Sequence, residues 1–387
     1  MRKFNKIFIL LAFFGLSIVS TAQVVDSGTC GDNLTWELTG SGDNLTLTIS
    51  GTGAMTDYGW NGNSLDVPWY SQNANIKTLV LPYGITTIGN YAFRECRGLT
   101  GITIPNSVEL IGEGAFGYCS GLIGTLIIPN SVISIGQFAF EDCSGLTGIT
   151  IPNSVISIGK SAFIYCKNLT AIDVETNNQY YSSNNGVLFN KNKTILIKCP
   201  EGKSGNYNIP NSVISIEQSA FWYCRNLLEL IIPNSVISIG QSVFYYCISL
   251  TDIYVSWETP VSIGTNVFAS VNRQNVKLHI PEGTKPTYQD APVWQDFILL
   301  DGTEASINEL KANIDIKIYP NPVQNELKVE SEFKINNVEI CDLAGRIVLI
   351  PHSSFFNSIN VSALPQGVYL VKIYTDKGVV TQKVVKN

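Results

Sequence analysis

A five-residue block, Ile-Pro-Asn-Ser-Val, begins at Ile104, Ile128, Ile151, Ile209 and Ile232, with a related Leu-Pro at Leu81 and an Ile-Pro at Ile280. From Leu81 to Ile151 the steps are 23, 24 and 23 residues, and from Ile209 to Ile232 the step is again 23. Fixed self-similarity at this period marks a solenoid: one unit cannot bury its own apolar face, and stacked units can.

The residues inside a unit specify its coil. Leu146 to Ile151 ends in the apolar–polar alternation of a half-buried strand. Pro152-Asn153-Ser154 then turns the chain, because Pro fixes φ and Asn and Ser satisfy turn backbone locally. Val155 to Ile158 reads as a second short strand closed by Gly159, and Ser161 to Cys166 as one turn of helix or 3₁₀. Stacking places equivalent residues in columns. Phe93, Phe116, Phe140, Phe163, Phe221, Phe244 and Phe268 form an aromatic spine, preceded by Ala at most positions. Gly89, Gly112, Gly136, Gly159 and Gly240 recur after the second strand, where positive φ or close backbone approach is expected; Glu217 interrupts that column.

Nine cysteines first suggest a disulfide framework, but Cys96, Cys119, Cys143, Cys166, Cys224 and Cys247 all fall three residues after a spine Phe. They are one repeat position counted six times, an internal thiol ladder of small buried hydrophobes. No C-x₂₋₄-C cluster suggests zinc. Cys199, directly before Pro200, reads as a substitute for the strand Ile, while Cys30 and Cys341 stand apart.

Arg2, Lys3 and Lys6 precede an apolar run from Ile7 to Val19 and the small residues Ser20-Thr21-Ala22, the pattern of a secretory leader over residues 1–22. That run is too short to span a bilayer, which needs about 20 apolar residues. Without the leader the chain carries 22 Lys+Arg against 31 Asp+Glu. Residues 23–75, with six acids, no bases and strand-like Leu34–Leu38 and Leu45–Ile49, read as the N-terminal cap of an array over residues 76–300. The long step from Ile151 to Ile209 contains an insertion at about 175–208, in which Gly186–Asn190 and Thr194–Lys198 read as a β-hairpin.

Composition changes after Leu300. Residues 301–313 form a polar linker, and residues 314–387 alternate as short strands around Leu327–Val329, Val338–Ile340, Ile347–Leu349 and Val368–Ile373. The expected fold is therefore mainly β: a solenoid of about 23-residue coils followed by a small Ig-like antiparallel sandwich.

Chemistry-bearing patterns are scarce. The formal charge of −6 argues against nucleic-acid binding by phosphate neutralisation. Two histidines, His279 and His352, offer little for a His-dependent hydrolase or metal site. There is no G-x-S-x-G elbow, P-loop, dinucleotide fingerprint or EF-hand loop. Glu141-Asp142, or Asp173 and Glu175, are nominal carboxylate pairs, but nothing sets either across a sugar-sized cleft. No catalytic, metal or cofactor residue is assigned. Binding surfaces leave two traces. Trp222, Tyr223, Tyr245 and Tyr246 gather at the corner before the ladder Cys, either as an exposed aromatic patch or as corner packing. On the first strands the outward column is Thr103, Ile127, Thr150, Asp173, Ile231 and Tyr254, of which Ile127, Ile231 and Tyr254 are apolar for a solvent face.

Ala-Phe-x-x-Cys-x-x-Leu combined with Ile-Pro-x-x-Val-x-x-Ile-Gly resembles the BspA-like class of leucine-rich repeat, as do Ser27-Gly-Thr-Cys-Gly31 and Pro68-Trp69-Tyr70 before the array. The resemblance covers about residues 24–300. It implies a bacterial surface protein whose array binds host proteins, matrix or other cells. The end of the chain resembles the C-terminal sorting domain of type IX secretion, through Tyr319-Pro-Asn-Pro322, Asp342-Leu-Ala-Gly-Arg346, Leu364-Pro-Gln-Gly-Val-Tyr369 and Lys383-Val-Val-Lys386. Cys341 stands where an aromatic is common. That resemblance implies an interaction of residues 314–387 with the secretion machinery, passage across the outer membrane and display at the cell surface or release. The expected function is a non-catalytic adhesin or binding scaffold, with no transmembrane segment in the mature chain. The alternative is a surface protein that binds or helps degrade glycans.

Overall fold

The computed structural model describes residues 23–61, 64–302, 316–331, 334–342, 347–349, 351, 358–375 and 378–387. The leader, most of the linker, His352 and the Ala344-Gly345 turn lie outside them. The chain divides into two units, Met1–Ile253 with Thr259–Leu278 and Thr287–Ile298, and Tyr254–Glu258 with His279–Pro286 and Leu299–Asn387.

In the first unit, Val24–Gly31, Leu34–Ser41 and Asn44–Gly51 form an antiparallel meander. Its last strand pairs parallel with Ile76–Val80, so the segment converts an antiparallel start into a parallel stack. First strands then pair in parallel, with Ile127 opposite Thr150 and Thr150 opposite Asp173. Second strands do the same, aligning Ile88, Ile111, Ile135 and Ile158. Parallel pairing follows from the repeat itself, because each equivalent strand is reached after one full coil.

The spine is present as ring stacking. Phe93, Phe116, Phe140 and Phe163 follow one another at 5.4, 5.5 and 6.0 Å between centroids, and Phe221, Phe244 and Phe268 at 5.2 and 4.8 Å. Each such pair adds about 0.5–1.5 kcal/mol beyond the area it buries. Trp69 closes one end, stacking on Phe93 at 5.9 Å and donating its indole N–H to the Ala92 carbonyl. Trp294 and Phe297 close the other, edge-on to Phe268.

The corner that carries the spine is a run of tight turns and not the expected helical turn. Tyr91, Phe93 and Glu95 give their amide hydrogens to Glu113, Ala115 and Gly117 of the next coil, while Ala92, Arg94 and Cys96 bond back to Gly89, Tyr91 and Phe93. Alternate amides are thus committed between coils, which leaves no continuous i→i−4 ladder for a helix. The glycine column resolves to close approach. A Cβ on Gly159 would lie 2.3 Å from the Gln137 amide nitrogen, and one on Gly136 2.5 Å from the Gly112 carbonyl carbon, whereas none of the five adopts positive φ.

All nine cysteines are buried free thiols. Cys119, Cys143, Cys166 and Cys247 point their thiols at the carbonyls of Phe93, Phe116, Phe140 and Phe221 at 3.0–3.2 Å. Burial pushes the Cys119 and Cys166 thiols up to about 12, and Cys96, Cys143, Cys224 and Cys247 well above the ordinary value.

The insertion is an elaborated coil. Tyr181–Asn184, Val187–Asn190 and Ile195–Lys198 form an antiparallel sheet, and Ile195–Lys198 also pairs parallel with Ser215–Ile216 as an ordinary second strand. This corrects the placement of Cys199. Because it follows a second strand, it enters the corner, and its amide donates to the Ala220 carbonyl as Phe221 does to Val243. Cys199 therefore takes a spine Phe position and interrupts the ring stack; Tyr207, from the adjoining first strand, approaches Phe221 at 5.9 Å.

In the second unit, Ile316–Tyr319, Glu326–Ser331 and Ser358–Asn360 form one antiparallel sheet. Ile347–Leu349, Ile335–Cys341, Gly367–Thr375 and Gly378–Lys386 form another. Their inward residues, among them Leu327, Val329, Val338, Ile340, Val371 and Ile373, make one core. The motifs meet here: the Asn321 carboxamide donates to the Lys383 carbonyl and accepts from the Val385 amide, both at 2.9 Å. Tyr369 donates its hydroxyl to the Pro365 carbonyl at 2.8 Å.

Candidate interaction surface

Two residues in each of the six corners that carry a ladder Cys take the left-handed conformation. Glu95, Tyr118, Asp142, Tyr165, Tyr223 and Tyr246, each directly before the ladder Cys, have φ between 49° and 63°. Gly or Asn would hold this conformation cheaply, whereas bulky side chains there cost of order 1–3 kcal/mol each. Four tyrosines at such positions mean that the fold accepts strain to turn rings outward at the corner.

Those rings assemble. Trp222 stacks on Tyr245 at 4.1 Å and Tyr223 on Tyr246 at 4.7 Å, with interplanar angles of 18° and 9°. Tyr165 meets Trp222 and Tyr223 edge-on at 6.4 and 5.5 Å. The Arg225 guanidinium lies 4.7 and 4.6 Å from the Tyr223 and Tyr246 ring centres, a cation–π clasp across two coils. All four sequence-selected rings are half-buried, so they pack along the corner and still reach solvent. Arg225 escaped the sequence reading, although its place directly after the ladder Cys, as for Arg97 and Lys167, was a signal.

The same corner is ionic in the earlier coils. Arg94 pairs with Glu141 at 3.0 Å and lies over the Tyr118 ring at 4.5 Å. Tyr118 donates to Glu141, and Tyr91 to Glu113. Burial raises the Tyr118 and Tyr165 hydroxyls, and with the Glu113 bond lifts Tyr91 to about 12. Burial also raises Asp142 against the pull of Lys167 and Arg97. Of the nominal carboxylates, Glu141 is thus tied to Arg94, and Glu175 accepts the Asn153 amide at 3.0 Å. Among the described residues no three His, Cys, Asp or Glu side chains gather as metal ligands.

The strand column separates from the corner and divides. Ile127 is 71% exposed beside the half-buried Thr150 and the exposed Asp173. Ile231 is a correction: it is 5% exposed. Leu230, Ile231 and Ile232 are buried in succession, so both faces of that strand end are covered and alternation no longer delivers a solvent position. Tyr254 is half-buried and stacks on His279 at 4.0 Å. A different apolar column was missed. Ile133, Ile156, Ile214 and Ile237 occupy one repeat position after the Pro-Asn-Ser-Val turn, and all are exposed, Ile237 by 69%.

The family model described as BspA type leucine rich repeat region matches six copies over residues 68–195 and 200–290. The one described as secretion system C-terminal sorting domain matches residues 317–387. Among solved structures, the chain is similar to a leucine-rich repeat protein from Eubacterium ventriosum, at 27% identity and a TM-score of 0.47, over 67% of this chain and 80% of that one. It is also similar to a leucine rich cell surface protein from Faecalibacterium prausnitzii, at 20% identity and a TM-score of 0.41, over 74% and 97%. A third similar structure is a leucine-rich repeat protein from Bacteroides ovatus, at 18% identity and a TM-score of 0.30, over 70% and 99%. A search of the curated proteins finds no match.

Proposed function

Because the chain belongs to the BspA-type leucine-rich-repeat family and carries a secretion sorting tail that directs it to the cell surface or extracellular space, we propose that it works there as a non-catalytic binding scaffold. Its ligands in this reading are host proteins, matrix components or the surfaces of neighbouring cells. The observation that carries the reading is the corner cluster of Trp222, Tyr223, Tyr245 and Tyr246 with Arg225. Tyr223 and Tyr246 are held there at strained backbone positions with Trp222 and Tyr245 beside them, and aromatic and Arg side chains dominate binding hot spots. A rigid stack suits the task, because little conformational entropy remains to be lost on association. Ile127 supplies a further apolar position on the strand face.

We assign residues 76–300 to the binding array and residues 314–387 to export, acting through the type IX machinery. The test is solid-phase binding of the mature chain to matrix proteins and host glycoproteins, against a Trp222→Ala/Tyr223→Ala variant. Loss of binding by about tenfold or more supports the corner. Undiminished binding refutes its role, and product release from a glycan, abolished by a carboxylate substitution, refutes the non-catalytic reading. Deletion of residues 314–387 should hold the protein in the periplasm, and normal display without them would refute their role in export.

A further inference from the structure

We propose that the C-terminal end of the aromatic corner is a stacking shelf for a neutral saccharide, formed by the ring faces of Tyr245 and Tyr246 above the small residues Ala269 and Ser270. This rests on the corner being a binding surface, and it adds the chemical class of what that end holds.

Along the corner each ring is covered by the ring at the same position in the next coil, Trp222 by Tyr245 and Tyr223 by Tyr246. The next coil keeps this register: Phe268 stacks on Phe244 at 4.8 Å, and the Tyr246 amide donates to the Ala269 carbonyl at 3.0 Å. It also keeps the backbone conformation, with φ of 65° at Ser270 against 63° at Tyr246. The positions that should carry the next two rings are therefore Ala269 and Ser270. A methyl and a hydroxymethyl cannot cover two phenol rings. Among the described residues, the aromatic and cationic partners of Tyr245 and Tyr246 are Trp222, Tyr223, each other and Arg225. The faces turned toward the Ala269 coil have no ring upon them. Tyr245 and Tyr246 lie 5.8 Å apart and are tilted by 41°, so the shelf is two rings wide.

The surroundings select the occupant. From Thr265 to Asn272 the turn holds no ionisable side chain, and Thr265, Asn266, Ser270 and Asn272 are all exposed. An aromatic face is electron-rich and attracts the weakly positive C–H face of a pyranose, while neutral amides and hydroxyls match its hydroxyl groups. A cationic ligand would find no carboxylate on this turn. An anionic one would meet Arg225, whose guanidinium is already engaged by Tyr223 and Tyr246, and Arg273 directly after the turn, which is paired with Asp296 at 3.1 Å.

The experiment uses the mature full chain in affinity electrophoresis through gels containing neutral glucan, mannan, galactan or xylan, with heparin as the anionic comparison. Ser270→Tyr supplies the missing rung on a backbone that already carries Tyr at the equivalent positions, so it blocks the shelf without disturbing the array; unchanged thermal unfolding checks this. Retardation by at least one neutral polysaccharide, weakened about tenfold or more by Ser270→Tyr and by Tyr245→Ala, is the expected result. No retardation by any of the four, equal retardation of Ser270→Tyr, or binding to heparin alone overturns the saccharide shelf. If Trp222→Ala/Tyr223→Ala abolishes capture of a matrix protein while Ser270→Tyr leaves it intact and no saccharide binds, the shelf fails and the corner stands. If neither variant affects any binding, both fail.

Discussion

Glu201 offers the sharpest test of how the array is held together, because it works where the repeat loses its regularity. In ordinary coils the amide before the ladder Cys donates to a backbone carbonyl of the next coil, as Tyr118 does to Glu141 at 2.6 Å and Tyr223 to Tyr245 at 2.9 Å. At Tyr165 the irregular coil supplies instead the Glu201 carboxylate, whose Oε1 accepts that amide at 2.8 Å and the Lys198 ammonium at 3.2 Å. Glu201 is 3% exposed; burial raises its carboxyl and Lys198 opposes that rise. Glu201→Ala orphans the Tyr165 amide, worth about 1–3 kcal/mol, and strands a buried ammonium, and breaking a buried pair costs about 3–5 kcal/mol overall. Glu201→Gln keeps an acceptor and should cost less. Glu201→Gln combined with Lys198→Met removes both charges and should recover most of the loss, since replacing a whole buried pair is often close to neutral. Urea unfolding followed by circular dichroism and Trp fluorescence measures all three, together with Lys198→Met alone. A cost below about 1 kcal/mol for Glu201→Ala, or a double variant as damaged as the sum of the single ones, refutes the account.

Three further outcomes follow from the packing. Cys119 and Cys166 titrate near 12 in the fold against 9.0 for an ordinary thiol, so the folded state retains protons that the unfolded chain releases. Their stabilisation is complete below pH 9 and is lost as pH rises from 9 toward 12, by about 1.4 kcal/mol per thiol per pH unit. A urea midpoint unchanged between pH 8 and pH 10, with reductant present, would contradict this. At pH 8 an aromatic disulfide reagent should leave the native protein unlabelled and modify all nine thiols after unfolding, and rapid native labelling would show the ladder to be open. Gly159→Ala sets a methyl 2.3 Å from the Gln137 nitrogen and should cost about 1–3 kcal/mol in urea unfolding, whereas Gly124 has open space around its Cβ direction. A harmless Gly159→Ala would mean the coils can part locally.

The period, the stacked coils and the Phe and Cys columns were legible because the same residues recur at a fixed spacing, and repetition converts sequence directly into spatial columns. The corner conformation was not. Tyr, Glu and Ser at left-handed positions run against local preference, and the hydrogen bonds that hold them go to the next coil. The hairpin could be read from its alternation, yet its second strand joins the array and displaces Cys199 into the corner, a register that only the pairing partners reveal. At the candidate surface, adjacency in the sequence located the four rings. What sequence could not supply was their mutual stacking, the Arg225 clasp and the covered state of Ile231. The Ile133–Ile237 column went unread because an apolar residue in a short strand looks like core until the direction of its side chain is known.

The break at Cys199 changes how the coils are joined. One continuous core runs from the cap to Ile172 and Leu188, and Phe stacking resumes at Phe221. Between them a thiol stands in the ring position, and a carboxylate replaces a backbone carbonyl. The two Phe stacks are therefore joined across the irregular coil by the parallel pairing of Ile195–Lys198 with Ser215–Ile216 and by the Tyr165 amide on Glu201, and not by a Phe–Phe contact.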